Sequence, residues 1–92
     1  MQALSTDTAP AAIGPYSQAI QASGLIFVSG QLPIDPATGA LVSDDPAEQC
    51  RQSLRNIAAI ARAAGLDLTR VVRTTVLLKD LGSFAAVNAA YA

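Results

Sequence analysis

The stretch Asp45–Gly65, DPAEQCRQSLRNIAAIARAAG, is the most clearly marked element of the 92-residue chain. Asp45 suits the N-cap of a helix, Pro46 suits its first position, and Glu48 places a negative charge in the first turn. Gly65 is a typical stop signal. Between these ends, apolar residues recur at intervals of three and four, which predicts one buried helical face made of Ala47, Cys50, Leu54, Ile57, Ala61 and Ala64.

Strand signals precede this helix. Gly14-Pro15 marks a turn, and residues 16–22 alternate well enough to predict a strand. Ser23-Gly24 joins that strand to the short apolar run Leu25–Val28, a pattern typical of a β-hairpin. Residues 33–42, with two prolines and a glycine, predict a turn-rich loop that ends in a short strand around 40–42.

After the helix, residues 67–70 predict a turn. Val71–Leu78 has β-branched residues at five of eight positions, which predicts another strand, and a second helix begins near Ser83 and runs to Ala92. Residues 1–9 are polar and aperiodic, so we expect a flexible arm followed by a single domain over residues 10–92.

The two best strands, Leu25–Val28 and Val76–Leu78, are apolar on both faces, as in sheets that are covered on both sides. Two helices suffice to cover one face only. We therefore expect the other face to be covered by a second copy of the chain.

Composition excludes several classes of protein. A 51% hydrophobic content argues against disorder, and a net charge of −1 argues against a nucleic-acid binder with a broad positive field. The longest bulky apolar run, Leu25–Val28, is far too short to cross a membrane, and residues 1–10 lack the pattern of a signal peptide. With a single cysteine that cannot form an internal disulfide, the sequence predicts a cytoplasmic protein.

The absence of histidine and the single cysteine limit the catalytic and metal sites that the chain can form. Without histidine the chain cannot form a Ser-His-Asp triad, and one cysteine cannot build a thiolate zinc site. No glycine-rich phosphate loop precedes a helix. We therefore expect neither a metal nor an organic cofactor.

Several charged or reactive residues have a structural interpretation that we favour. Cys50 suits a small core residue better than a reactive thiol, and Asp44-Asp45 suits helix capping better than a two-carboxylate site. Arg73 suits a sheet edge or open face. The polar side of the first helix suits solvent better than phosphate or RNA; its arginines are Arg51, Arg55 and Arg62.

Polar residues also collect at the ends of elements. Tyr16-Ser17-Gln18 opens one strand, Ser29-Gly30-Gln31 follows the next, and Asn88 stands among alanines on the second helix. Turn and cap roles explain them in part. The alternative is a small pocket in which hydroxyls and backbone N–H groups orient a ligand.

Three segments carry a resemblance to a known family. APAAIGPYSQ at 9–18, SGQLP at 29–33 and RTTVLLKDL at 73–81 strongly resemble the motifs of the RidA/YjgF-type reactive-intermediate deaminases, a family that also carries an endoribonuclease L-PSP label. Further matches are Asp35-Pro36, Thr38-Gly39 and Phe84–Asn88. The resemblance extends from about Pro10 to Ala92.

The resemblance implies a fold and an assembly. The implied fold is α+β and chorismate-mutase-like, a mixed sheet with two helices on one face. Three such subunits form a homotrimer around a central barrel, with ligand sites in the clefts between subunits. Family members continue past the position of Ala92 into two more strands, so we expect either a domain truncated at its C-terminus or a chain that has lost the family's chemistry.

The resemblance also implies an activity. Members hydrolyse enamine and imine intermediates such as 2-aminoacrylate, 2-iminobutanoate and 2-iminopropanoate to 2-keto acids and ammonia, without a metal or cofactor. By position, Tyr16, Ser29, Gly30 and Asn88 would contact the substrate. The family's carboxylate-binding arginine and its water-linked glutamate lie in the two further strands, so residues 1–92 contain no assigned catalytic residue.

Two other functions stay open at this point. One is a non-catalytic, trimeric protein that binds small carboxylates or regulates through the same cleft. The other is ribonuclease or translation-inhibitor activity, against which the acidic pI and the absence of histidine both weigh.

Overall fold

A computed structural model describes residues 2–12 and 16–92. Its sheet has three strands in the order β1-β2-β3, namely β1 (Gln2–Leu4), β2 (Ala19–Ala22) and β3 (Leu25–Val28), and both pairings are antiparallel. Two helices follow, α1 (Pro46–Ala63) and α2 (Phe84–Tyr91). The fold class is α+β, as expected, although the described residues contain no parallel pairing of the kind a mixed sheet requires.

The predicted hairpin is confirmed. Ser23 and Gly24 both have positive φ, 53° and 77°, which matches the right-handed twist of the strands they join. The first strand is shorter than predicted, since β2 begins at Ala19 rather than Tyr16. The Gly14-Pro15 turn lies outside the described residues.

Residues 1–9 were expected to form a loose arm, and this is wrong for most of the segment. Gln2–Leu4 pairs with β2 in the register Leu4↔Ala19, and Ala9 is buried. A sequence pattern reports side-chain periodicity, whereas this segment is held mainly through its backbone groups.

The helix α1 begins and ends as predicted. The side chain of Asp45 accepts a hydrogen bond from the Ala47 N–H, and Gly65 has φ +79° just after the helix. The buried face is different, however. The apolar face predicted from the sequence, from Ala47 to Ala64, is only half-buried. The buried residues lie on another side of the helix: Gln52, Asn56, Ala59 and Ile60.

The core lies between α1 and one face of the sheet. Ala59 and Ile60 pack with Ala9 and Ala19, and Leu4 and Ile26 border this cluster. The helix α2 packs beside α1 and buries Val87. No helix in the described part of the chain combines the length and hydropathy needed to cross a membrane.

The opposite sheet face is apolar and open. The registers align Ala3, Ile20 and Phe27 across the three strands on that face, with Leu25 further along β3. Phe27 is 59% exposed and Leu25 is 52% exposed in the single chain. This is the uncovered face that the two-sided strand pattern predicts.

The predicted strand at Val71–Leu78 is wrong for this structure, which assigns no strand there. A strand needs a neighbouring backbone, and none pairs with this segment among residues 2–12 and 16–92. Alternate side chains of this segment still share one side, because Thr74, Val76 and Leu78 line a common cavity with α2.

The turn-rich loop is confirmed. It closes on Asp35, whose side chain accepts a hydrogen bond from the Ala37 N–H at 2.8 Å. The short strand expected at 40–42 is reduced to a single bridge between Ile34 and Leu41. Residues 67–70 form the expected turn, with a 3-10 helix at Leu68–Arg70.

Candidate functional site

The segment before β2 carries the first predicted site residue. Tyr16 is half-exposed and lines a cavity of about 310 Å³ with Ser17, Gln18 and parts of the N-terminal segment. The N-terminal wall of this cavity is Ala3–Asp7, with Ala11 and Ala12 beside it. Its lining includes the hydroxyl residues Ser5, Thr6, Tyr16 and Ser17, which suit a small polar ligand.

Ser29 is held against that segment. Its N–H donates to the Gln18 carbonyl at 3.0 Å, and its hydroxyl donates to the Ser17 carbonyl at 2.5 Å. The structure therefore brings Ser29 beside the residues that follow Tyr16. Gly30 comes next and is exposed, and a Cβ placed on it would meet nothing within 4 Å.

Asn88 lies elsewhere. It is exposed on α2 and lines a second cavity of about 380 Å³, whose other walls are mostly apolar. The hydroxyls of Thr74 and Tyr91 are hydrogen-bonded to each other at its edge. The full lining is Thr74, Val76, Leu78, Leu81, Phe84, Val87, Asn88 and Tyr91.

The four predicted site residues thus fall into two groups. Tyr16, Ser29 and Gly30 lie around the start of β2 and the end of β3, and of these only Tyr16 lines the first cavity. Asn88 borders the cavity beside α2. Neither cavity in the described chain includes residues of both groups. The four residues contribute two hydroxyls and one amide, and none of them is an aspartate, glutamate, histidine, lysine or cysteine.

The other candidates have structural surroundings. Asp45 caps α1, as favoured, and Cys50 is half-buried. Arg51 pairs with Glu48 on the exposed side of α1, and Arg73 is exposed. Across residues 2–12 and 16–92, no group of three or more His, Cys, Asp or Glu side chains is arranged to hold a metal ion.

One carboxyl group has a clearly shifted pKa, and it lies in the turn after α1. The hydroxyl of Thr69 donates to Asp67 and lowers the pKa of that carboxyl, and the Thr69 N–H donates to the same oxygen at 2.9 Å. Asp67 caps the 3-10 helix at Leu68–Arg70. Its shift belongs to helix capping rather than to either cavity.

Two buried amides hold backbone segments in place: Gln18, which the sequence places only in a polar group at the start of a strand, and Asn56, to which the sequence gives no role. The side chain of Gln18 makes four hydrogen bonds to the backbone of Thr6, Ala9 and Pro10. Asn56 donates to the carbonyls of Leu32 and Ile34. The sequence does show Asn56 as an amide within the predicted helix, outside its apolar face. The spacing of apolar residues alone does not predict that such an amide is buried.

A family model described as endoribonuclease L-PSP matches residues 6–92, nearly the whole chain. The chain belongs to the RidA/YjgF family. The matched region contains the three segments quoted above and all four predicted site residues of this RidA/YjgF member.

Named relatives agree with this assignment. The chain is 59% identical over 91 residues to the RutC family protein y4sK of Sinorhizobium fredii, covering 99% of this chain and 72% of that protein. It is 52% identical over 88 residues to a Salmonella typhimurium protein named 2-iminobutanoate/2-iminopropanoate deaminase, covering 96% of this chain and 68% of the relative.

Solved structures share the fold of this RidA/YjgF member. The Escherichia coli YjgF gene product superimposes with a TM-score of 0.94 at 50% identity, over 99% of this chain and 71% of that one. Escherichia coli TdcF with bound serine gives a TM-score of 0.93 at 41% identity, over 99% and 71% of the two chains. The backbone described above is therefore the family backbone over the matched region.

Proposed function

We propose that this protein hydrolyses reactive 2-imino acids, and their enamine tautomers, to 2-keto acids and ammonia. The observation that carries the proposal is its similarity to relatives named 2-iminobutanoate/2-iminopropanoate deaminase. Those of Salmonella typhimurium, Bos taurus and Mus musculus are 52%, 53% and 50% identical to this chain. The wall residues Tyr16, Ser29, Gly30 and Asn88 lie within the matched region.

The reaction needs no redox partner. Water adds its oxygen to the imine carbon, the carbon–nitrogen bond breaks, and the nitrogen leaves as ammonia while the carbon becomes a ketone. An enzyme must hold the substrate carboxylate, place the water beside the carbon and assist proton transfer to nitrogen.

Within residues 1–92, we assign positioning roles only. Tyr16 lines the cavity before β2, and Asn88 offers an exposed amide that can donate or accept. Ser29 and Gly30 would supply a second wall, since Ser29 is hydrogen-bonded to the residues that follow Tyr16. The resemblance to the family implies that an arginine binds the carboxylate and a glutamate orients the water, both on strands that follow the matched region.

We also propose a homotrimer with sites between subunits. Two observations support it: the open apolar sheet face that includes Ile20 and Phe27, and the location of Tyr16 and Asn88 at separate cavities of one chain. A site shared between copies would unite Tyr16 from one subunit with Asn88 from another.

The test uses an extended form, defined here as residues 1–92 followed by the C-terminal segment of the Salmonella relative. Ammonia release from freshly generated 2-iminobutanoate is measured for this form and for its Tyr16→Ala and Asn88→Ala variants. Loss of a hydrogen bond to a charged ligand predicts a decrease in kcat/KM of about 10- to 100-fold for Asn88→Ala.

The control for these variants is Gln21→Ala, which changes an exposed β2 side chain. It should retain the activity of the parent. Extended protein that folds but fails to accelerate ammonia release above the spontaneous rate would refute the proposed function.

A second candidate function is binding of a small amino or keto acid without turnover. It is favoured by the solved relative TdcF, whose structure contains serine. Calorimetric titration with serine and with 2-oxobutanoate, alongside the ammonia assay, separates the two. Binding without ammonia release would favour the non-catalytic function.

A further inference from the structure

Asn56 is a fully buried polar side chain at the centre of α1. Its amide nitrogen donates to the Leu32 carbonyl at 3.1 Å and to the Ile34 carbonyl at 3.0 Å. Its oxygen accepts from the amide of Gln52 at 2.9 Å. Both of its donor hydrogens and its acceptor oxygen are used, so the amide has one defined orientation.

Gln52 reinforces that orientation. Arg55 donates to the Gln52 oxygen at 3.4 Å, and a guanidinium can only donate. The Gln52 oxygen therefore faces Arg55, and its amide nitrogen faces Asn56. This leaves the nitrogen of Asn56 directed at the loop after β3.

The loop in question contains the second wall of the proposed site. At its beginning, Ser29 is bonded to the Ser17 and Gln18 carbonyls beside β2. At its other end, Leu32 and Ile34 are bonded to Asn56 on α1. Gly30 lies between these two attachments and is exposed, and a Cβ placed on it would meet nothing within 4 Å.

We infer that Asn56 is a positioning residue that sets the location of the Ser29–Gly30 wall through the carbonyls of Leu32 and Ile34, and thereby the size of substrate side chain accepted. This inference rests on the proposed function. The two imino acids named for the relatives differ by one methylene, so a displaced wall should change the preference between them.

The decisive variant is Asn56→Asp in the extended form. The carboxylate has nearly the same shape, but when ionised it cannot donate to either carbonyl. We expect the ratio of kcat/KM for 2-iminobutanoate to kcat/KM for 2-iminopropanoate to change by at least about threefold. This ratio is independent of the fraction of folded enzyme, so simple destabilisation does not move it.

A second readout reports the loop directly. Hydrogen exchange should accelerate by about tenfold at the Ser29 amide, which donates to Gln18, and at the Val42 amide, which donates to the Pro33 carbonyl at 3.0 Å. The matched control is Arg51→Gln, on the same helix, which also changes the net charge by one negative unit. It should change neither the ratio nor these exchange rates.

If Asn56→Asp fails to fold, Gln52→Met carries the test, because it removes the bond that orients Asn56, together with the longer contact from Arg55, and leaves the Asn56 side chain itself unchanged. We expect the ratio to change by a smaller factor than the threefold given for Asn56→Asp. A folded variant with an unchanged ratio, or with unchanged exchange at Ser29 and Val42, overturns the inference. Parent protein without deaminase activity overturns the proposed function first, and this inference with it.

Discussion

Replacing Gln18 with methionine tests how the N-terminal segment is held on the sheet. Gln18 is 4% exposed, and its oxygen accepts from the Thr6 N–H at 2.6 Å. Its nitrogen lies 3.1, 3.3 and 2.7 Å from the carbonyl oxygens of Thr6, Ala9 and Pro10. Methionine has a similar volume, so the substitution removes hydrogen bonds without leaving a large cavity.

The cost follows from those bonds. Each contributes about 1 kcal/mol net, and the contact at 3.3 Å contributes least. Thr6 and Pro10 are partly exposed, so water can replace some of the lost partners, whereas Ala9 is buried. We therefore expect the free energy of unfolding to decrease by about 2–4 kcal/mol.

Urea unfolding of the extended form measures this decrease, and hydrogen exchange over residues 2–4 shows whether β1 separates from β2. The matched control, Gln21→Met, changes an exposed glutamine on β2, three residues further along the chain, and should shift stability by less than about 0.5 kcal/mol. Equal stabilities for the two variants, or undisturbed exchange in β1, would contradict the proposed role of Gln18.

Three further predictions concern assembly, pH and the hairpin. Val76→Asp should prevent formation of the proposed trimer by the extended form in sedimentation, because a trimer that covers the two-sided apolar run Val76–Leu78 would bury the carboxylate unpaired. Residues 1–92 alone should change little, since Val76 is half-exposed there, and a trimeric variant would refute this. Asp67 has a lowered pKa in the folded chain, so its stabilising contribution is present above the unfolded pKa and is lost as pH falls through the folded one. Thr69→Val should raise that pKa in an NMR titration, and an unchanged titration curve would show that the hydroxyl is not the cause. Gly24→Ala should lower the free energy of unfolding by about 1 kcal/mol, because Gly24 has φ +77°, and equal urea midpoints would count against the turn assignment.

The elements defined by local chemistry were predictable from the sequence. Asp45, Pro46 and Gly65 fix the ends of α1 through capping and backbone preference, and Ser23-Gly24 fixes the hairpin through its positive φ values. These signals involve neighbouring residues only, so one sequence suffices to read them.

Features that depend on distant partners were not predictable in the same way. Val71–Leu78 has the residues of a strand, but a strand exists only when another backbone pairs with it. The arm became β1 because β2 offers an edge and Gln18 binds the arm's backbone. The buried face of α1 was misplaced because Gln52 and Asn56 are polar, and their burial is stabilised by each other and by the loop after β3.

The candidate site also depends both on local sequence motifs and on contacts between distant residues. Tyr16, Ser29, Gly30 and Asn88 were found by resemblance to family motifs, since turn and cap roles explain polar residues at element ends equally well. The structure holds Ser29 through one hydrogen bond to the Ser17 carbonyl and one to the Gln18 carbonyl, but leaves Asn88 at another cavity. One chain does not bring all four together, and sequence spacing cannot show how copies combine.

The most direct test of the proposed deaminase is ammonia release from 2-iminobutanoate by residues 1–92 and by the extended form, measured together at equal subunit concentration. An arginine–carboxylate contact is worth about 2–4 kcal/mol in a sheltered cleft, or about 30- to 1000-fold in rate. We predict that the extended form releases ammonia at least about 30-fold faster than residues 1–92. We also predict that the extended form sediments as a trimer. Full activity in residues 1–92 alone would show that the implied arginine and glutamate are dispensable and would contradict the mechanism.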